Sequence, residues 1–156
     1  MTSPKRRLPV LQSGPSGEEP GPERPGWQWA VLGAVAIVIA WLPLAALVNS
    51  VLAKTVLGGP PSPSQAAALV VANGAAFLLA SFAGGYLVGR FGGSAGAREA
   101  AIAGVLGAAV GCAMAVGQRR PGADLGVGGW ALVILVVAGI GAGGGLLGGR
   151  FGLKRR

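Results

Sequence analysis

A chain of 156 residues has room for one domain and a tail, and here 52% of the residues are hydrophobic while 12% are charged. Water-soluble domains carry about a quarter charged residues, so this composition excludes an ordinary solvated surface and makes lipid the expected solvent. The 30 glycines follow no collagen period, and the net charge of +8 sits in short clusters beside apolar runs, which argues against a fibre and against a nucleic-acid-binding surface.

Residues 1–26 combine frequent proline and glycine with mixed charge and no apolar periodicity. Such a segment buries too little surface to offset chain entropy, so a disordered cytoplasmic tail is expected. The first apolar run predicts a membrane-spanning helix over 27–50, because about twenty apolar residues cross a hydrocarbon core of ~30 Å. Trp27 and Trp29 stand where amphipathic rings anchor at a headgroup boundary, and Pro43 removes one backbone bond and should bend the helix. Val51-Leu52-Ala53 offers small residues to a signal peptidase, yet the run is nearly twice the usual length of about 7–15 residues, so a retained anchor is expected.

GGPPSPS then forces a turn, with Ser64 as the expected N-cap of a second span over 64–89. A short GGSAG connection leads to a third span over 98–117, rich in alanine and glycine. After the turn PGADLG comes a fourth span over 128–149, with Trp130 as its boundary ring, and 151–156 form a basic cytoplasmic end. The spans make one transmembrane domain over 27–150, an all-α integral membrane bundle of four helices. Of the 13 Lys and Arg, Lys54, Arg119 and Arg120 flank one side and the other ten flank the opposite side. By the positive-inside rule both termini are cytoplasmic, in a multi-pass protein of the plasma (inner) membrane.

One nonapeptide occurs almost twice: GGYLVGRFG from Gly84 to Gly92 and GGLLGGRFG from Gly144 to Gly152. Each copy closes the second helix of a hairpin, and both hairpins run the same way, so the expected arrangement is a parallel repeat with any pseudo-symmetry axis along the membrane normal. Gly85 and Gly89, like Gly145 and Gly149, are four apart and share a helix face where a neighbouring backbone can approach closely. Arg90 and Arg150 can snorkel to headgroups, and Gly92 and Gly152 can end the helices in left-handed caps. The same spacing recurs at Gly104 with Ala100, at Gly107 and Gly111, and at Gly141 with Gly145, so these glycines are expected to be contact surface. The two adjacent glycine ridges of the fourth span call for two neighbours, inside the monomer or in an oligomer.

Chemistry is scarce. GIGAGG at Gly139 to Gly144 formally satisfies G-x-G-x-x-G, but it lies inside an apolar span with no acid after it, so helix packing is the favoured reading over dinucleotide binding. The chain has no histidine, its five acids lie outside the span interiors, and Cys112 is single. These residues give no metal site, no catalytic dyad and no disulfide, and neither enzymatic activity nor a cofactor is expected. Ser81 is expected to bond its own helix backbone. Asn73 is the main polar residue inside a span, fit to pair across helices or, in an oligomer, to line a polar path.

The pattern of two hairpins closing on G-x-x-x-G-R, carried by Gly85, Gly89 and Arg90 and by Gly145, Gly149 and Arg150, resembles small glycine-rich four-span bacterial membrane proteins. Those proteins have no agreed activity, so the resemblance implies location and architecture without chemistry. The expected role is that of a non-enzymatic structural, scaffolding or accessory subunit whose partners are the lipid bilayer and a second copy or another membrane protein. The alternative is a small oligomeric channel or transporter with its path near Asn73.

Overall fold

The computed structural model describes residues 25–55, 62–117 and 126–155. The tail before residue 25 and the Arg119–Arg120 pair lie outside the described residues. Four helices follow in order: α1 (Gly26–Thr55), α2 (Pro63–Phe91), α3 (Ala97–Gly117) and α4 (Gly126–Leu153). No strand occurs among the described residues, and each helix is long and apolar enough to cross a membrane. Helix is the form lipid imposes, since every backbone N–H and C=O must be bonded within the segment.

The ends differ from the expected ones for local reasons. Ser62, not Ser64, caps α2: its hydroxyl accepts from the Gln65 N–H while Gln65 Oε1 accepts from the Ser62 N–H, and Pro63 occupies the first turn. This is a capping box, which outcompetes a lone hydroxyl two residues later. α1 runs uninterrupted through Pro43 to Thr55, with the proline ring exposed on its outer face. α4 continues past Arg150 to Leu153. Neither Gly92 nor Gly152 is left-handed: Gly92 has φ −72° and Gly152 lies within the helix. The positive φ of that turn belongs instead to Gly93, at 56°.

The partner pairs fix the helix directions. Gly33 meets Val88, Ile37 meets Gly84 and Asn49 meets Asn73, so α1 and α2 are antiparallel. Gly104 with Gly141 and Ala100 with Gly145 make α3 and α4 antiparallel as well. Gly33 with Ala103, Ile37 with Gly107 and Trp41 with Gly111 set α1 and α3 parallel, as Gly85 with Gly145 and Gly89 with Gly149 do for α2 and α4. Neighbours run α1–α2–α4–α3 and back to α1, with α2 and α3 also touching across the diagonal. The α1 and α4 backbones do not approach each other.

That last fact breaks the expected symmetry. A two-fold axis exchanging the hairpins would equate the α2–α3 contact with an α1–α4 contact, and the second does not exist. The copies of the nonapeptide nevertheless match in burial, residue for residue, over 84–92 and 144–152. They differ in their neighbours: Gly84 faces α1, whereas Gly144 faces α2.

The packing is inside-out relative to a water-soluble domain. Ile37, Val88 and Ser81 are the largest fully buried side chains, and the rest of the core is alanine and bare glycine with one phenylalanine, Phe77. Leu, Ile and Val such as Ile39, Leu79 and Leu135 are exposed on the outer faces. Lipid tails are as apolar as these side chains, so burying them gains little, and close backbone contact supplies the cohesion.

Candidate functional site

Two features stand out in the bundle: a seam of backbone contacts in the half that holds residues 84–92 and 144–152, and a cavity in the other half. The seam is centred on α4. A Cβ on Gly85 would fall 2.7 Å from the Gly145 Cα, and one on Gly89 would fall 2.9 Å from the Gly149 Cα. A Cβ on Gly148 would meet the Tyr86 N at 2.8 Å, and one on Gly152 the Arg90 N at 2.7 Å. On the next face of α4, Gly141, Gly145 and Gly149 pack on Gly104, Ala100 and Ala97 of α3. The two ridges of α4 therefore serve two neighbours within one chain, α2 and α3.

Spacing of four also organises α1 against α3, where Ala103, Gly107 and Gly111 take Gly33, Ile37 and the Trp41 ring. A Cβ on Gly111 would stand 3.5 Å from Trp41 Cη2, an ordinary contact, so this glycine is less constrained than those on α4. Within the GIGAGG run, Gly141 and Gly144 face neighbours, while Gly139 and Gly143 have nothing within 4 Å. Gly144, Gly148 and Gly152 belong to the seam too. Their spacing of four along α4 was visible, but the neighbour that makes Gly152 a contact rather than a stop was not.

Ser81 is fully buried against Gly144, and its Oγ has no hydrogen-bond partner. This corrects the expected bond to its own helix: the close approach of α4 leaves the hydroxyl in a packed contact. Toward the end of the bundle that holds the seam, Trp29 packs on Val88, Ala95 and Ala100, while Trp27 is exposed. Arg90 donates to the Arg155 carbonyl and lies 5.8 Å from the Phe91 ring centroid, while Arg150 is exposed. Glu99 accepts from the Gly96 N–H at 2.7 Å and thereby caps α3. α1, α2, α3 and α4 thus bring a start, an end, a start and an end to this side.

In the opposite half the backbone-to-backbone glycine contacts end, although Gly74 of α2 and Gly111 of α3 lie there. Bulky Val133, Val136 and Val137 stand in place of glycine on α4, and the helices stand apart around a cavity of about 580 Å³. Its wall is mostly apolar, with the Asn49 and Asn73 amides, the Trp41 and Trp130 indoles and the Cys112 thiol as its polar groups. Asn73 Nδ2 donates to Asn49 Oδ1 at 3.1 Å and to the Leu69 carbonyl at 2.9 Å. Trp130 lines this cavity, half-buried, and Trp41 stands edge-on to Phe77 with ring centroids 5.7 Å apart. Cys112, a free thiol, lines it as well. Asn49 is the partner that apolar spacing alone could not assign to Asn73. The apolar runs put Asn73 near the middle of its span and Asn49 nearer an interface, whereas the bundle brings the two amides to one depth.

Among the described residues no group of three or more His, Cys, Asp or Glu gathers to hold a metal ion. Comparison with known protein families, with curated proteins and with solved structures finds no match to this chain.

Proposed function

We propose that this chain is a non-enzymatic structural or accessory subunit of the plasma membrane, with both termini cytoplasmic. The observation that carries the reading is the seam: backbone against backbone from Gly141 to Gly152, with no ionisable side chain among its contacts. Buried ionisable groups are costly in lipid and mark transport paths, and among the described residues the interior offers amides, a hydroxyl, indoles and the Cys112 thiol, with no carboxylate or cation. Rigid contact, not conduction, is what such an interior supports. The charge asymmetry of the flanks supports the orientation, and the four long apolar helices support a location in a membrane. A second copy of the chain or another membrane protein is the expected partner.

A second reading, a small channel, rests on Asn49 and Asn73 at the cavity wall. Against it, Phe77 and Ile37 form a packed cluster with Val137 and Ile140 at the inner end. Flux of ions and small polar solutes through reconstituted vesicles separates the two. Leakage equal to that of empty vesicles, with and without Asn73→Ala, is the expected result. Solute-selective flux that disappears in Asn73→Ala would overturn the subunit reading.

A further inference from the structure

The cavity has a length, a chemistry and a depth that together define an occupant. Asn49 lies twenty residues beyond Trp29 on α1, ~30 Å at 1.5 Å per residue, which is about the thickness of the hydrocarbon core. With Trp29 at one boundary, the Asn49–Asn73 pair therefore stands at the other, at the level of lipid ester groups. From there the slot runs inward to Trp41 and Phe77, ~12 Å along α1.

The amides are confined to the mouth, and the indole N–H of Trp41 lies at the inner end. Asn73 spends both amide hydrogens on Asn49 Oδ1 and the Leu69 carbonyl. Asn49 Nδ2 is then left as a donor, and Asn73 Oδ1 as an acceptor, with no hydrogen-bond partner among the described residues. No ionisable carboxylate or cation lines the wall to recognise a charged ligand. The matching molecule has a long apolar body and an uncharged acceptor at one end.

We propose that this cavity seats an acyl chain of a phospholipid from the leaflet farther from the termini, its ester carbonyl accepting from Asn49 Nδ2 and its chain extending toward Trp41 and Phe77. The seat is open at its mouth, where the lining residues Asn49, Val70 and Ala115 are exposed. It does not depend on the subunit reading, since a channel and a scaffold could each carry a resident lipid.

The test uses the full chain, purified in detergent through repeated delipidation from phosphatidylcholine vesicles, with bound lipid counted by native mass spectrometry. One retained phospholipid per chain is expected for the unmutated protein. Ala115→Phe and Gly74→Leu fill the cavity and should abolish retention. Gly74 is suited to this because an added Cβ meets only Ile140 Cδ1, at 4.0 Å. Asn49→Leu should speed exchange of the lipid several-fold while leaving the fold intact by circular dichroism. In a Trp27→Phe, Trp29→Phe background, chains brominated at mid-length should quench Trp41 and Trp130, and Gly74→Leu should relieve that quenching. Equal lipid retention by filled and unmutated proteins, or none by the unmutated protein, would overturn the proposal. So would a change of oligomeric state in Gly74→Leu without loss of lipid, or bromolipid quenching that filling leaves unchanged.

Discussion

Gly145 and Gly143 are two residues apart on one helix and have opposite surroundings. A Cβ on Gly145 would press on the Ala100 carbonyl, whereas Gly143 has nothing within 4 Å. Gly145→Ala is therefore expected to destabilise the bundle by about 1–3 kcal/mol through overpacking. Gly143→Ala should change stability by no more than about 0.5 kcal/mol. Unfolding in mixed micelles, followed by circular dichroism, compares them. Ser81→Ala removes a buried hydroxyl that bonds nothing, so it should cost nothing and stabilise by up to about 1 kcal/mol in the same assay. Spacing of four was enough to place Gly85 with Gly89 and Gly145 with Gly149 on common faces. It could not say what each face meets. Gly92 and Gly152 looked like conformational stops because a glycine after an arginine is ambiguous until a neighbour is known, and both prove to be sites of close approach.

At the scale of the helix, α2 starts one turn earlier than its apolar run because Ser62 and Gln65 satisfy each other's backbone groups. Ser62→Ala should cost about 1 kcal/mol of local stability. Faster amide hydrogen exchange at Gln65 and Ala66, with the middle of α2 unchanged, is the expected signature. Helix number and approximate position were legible in the apolar runs, since lipid leaves a long apolar segment no other backbone form. The exact ends were not, because capping and tertiary contact decide them. α4 extends beyond Arg150 while Gly152 still has Tyr86 and Arg90 of α2 to pack on.

For the molecule as a whole, alternating helix direction brings the start of α1 and the end of α4 to the same end, where Gly26 lies beside Glu99 and Arg90 reaches Arg155. Reporter fusions at the two termini should consequently report one compartment, the cytoplasm, given the ten-to-three charge bias of the flanks. Opposite compartments would contradict the bundle itself; a shared exterior location would contradict only the charge argument. Ring order was beyond the sequence. The repeated nonapeptide implied equivalent hairpins, but equivalence of burial does not require equivalence of neighbours, and α2 and α4 use their like faces on unlike partners.

The helix that both α2 and α3 clasp is made after them. While a ribosome is still producing α4, its predecessors already sit in the bilayer with naked ridges at Gly85, Gly89 and Gly104 and nothing to cover them. A chain stalled before α4 would expose the surface that distinguishes an unfinished molecule from a finished one.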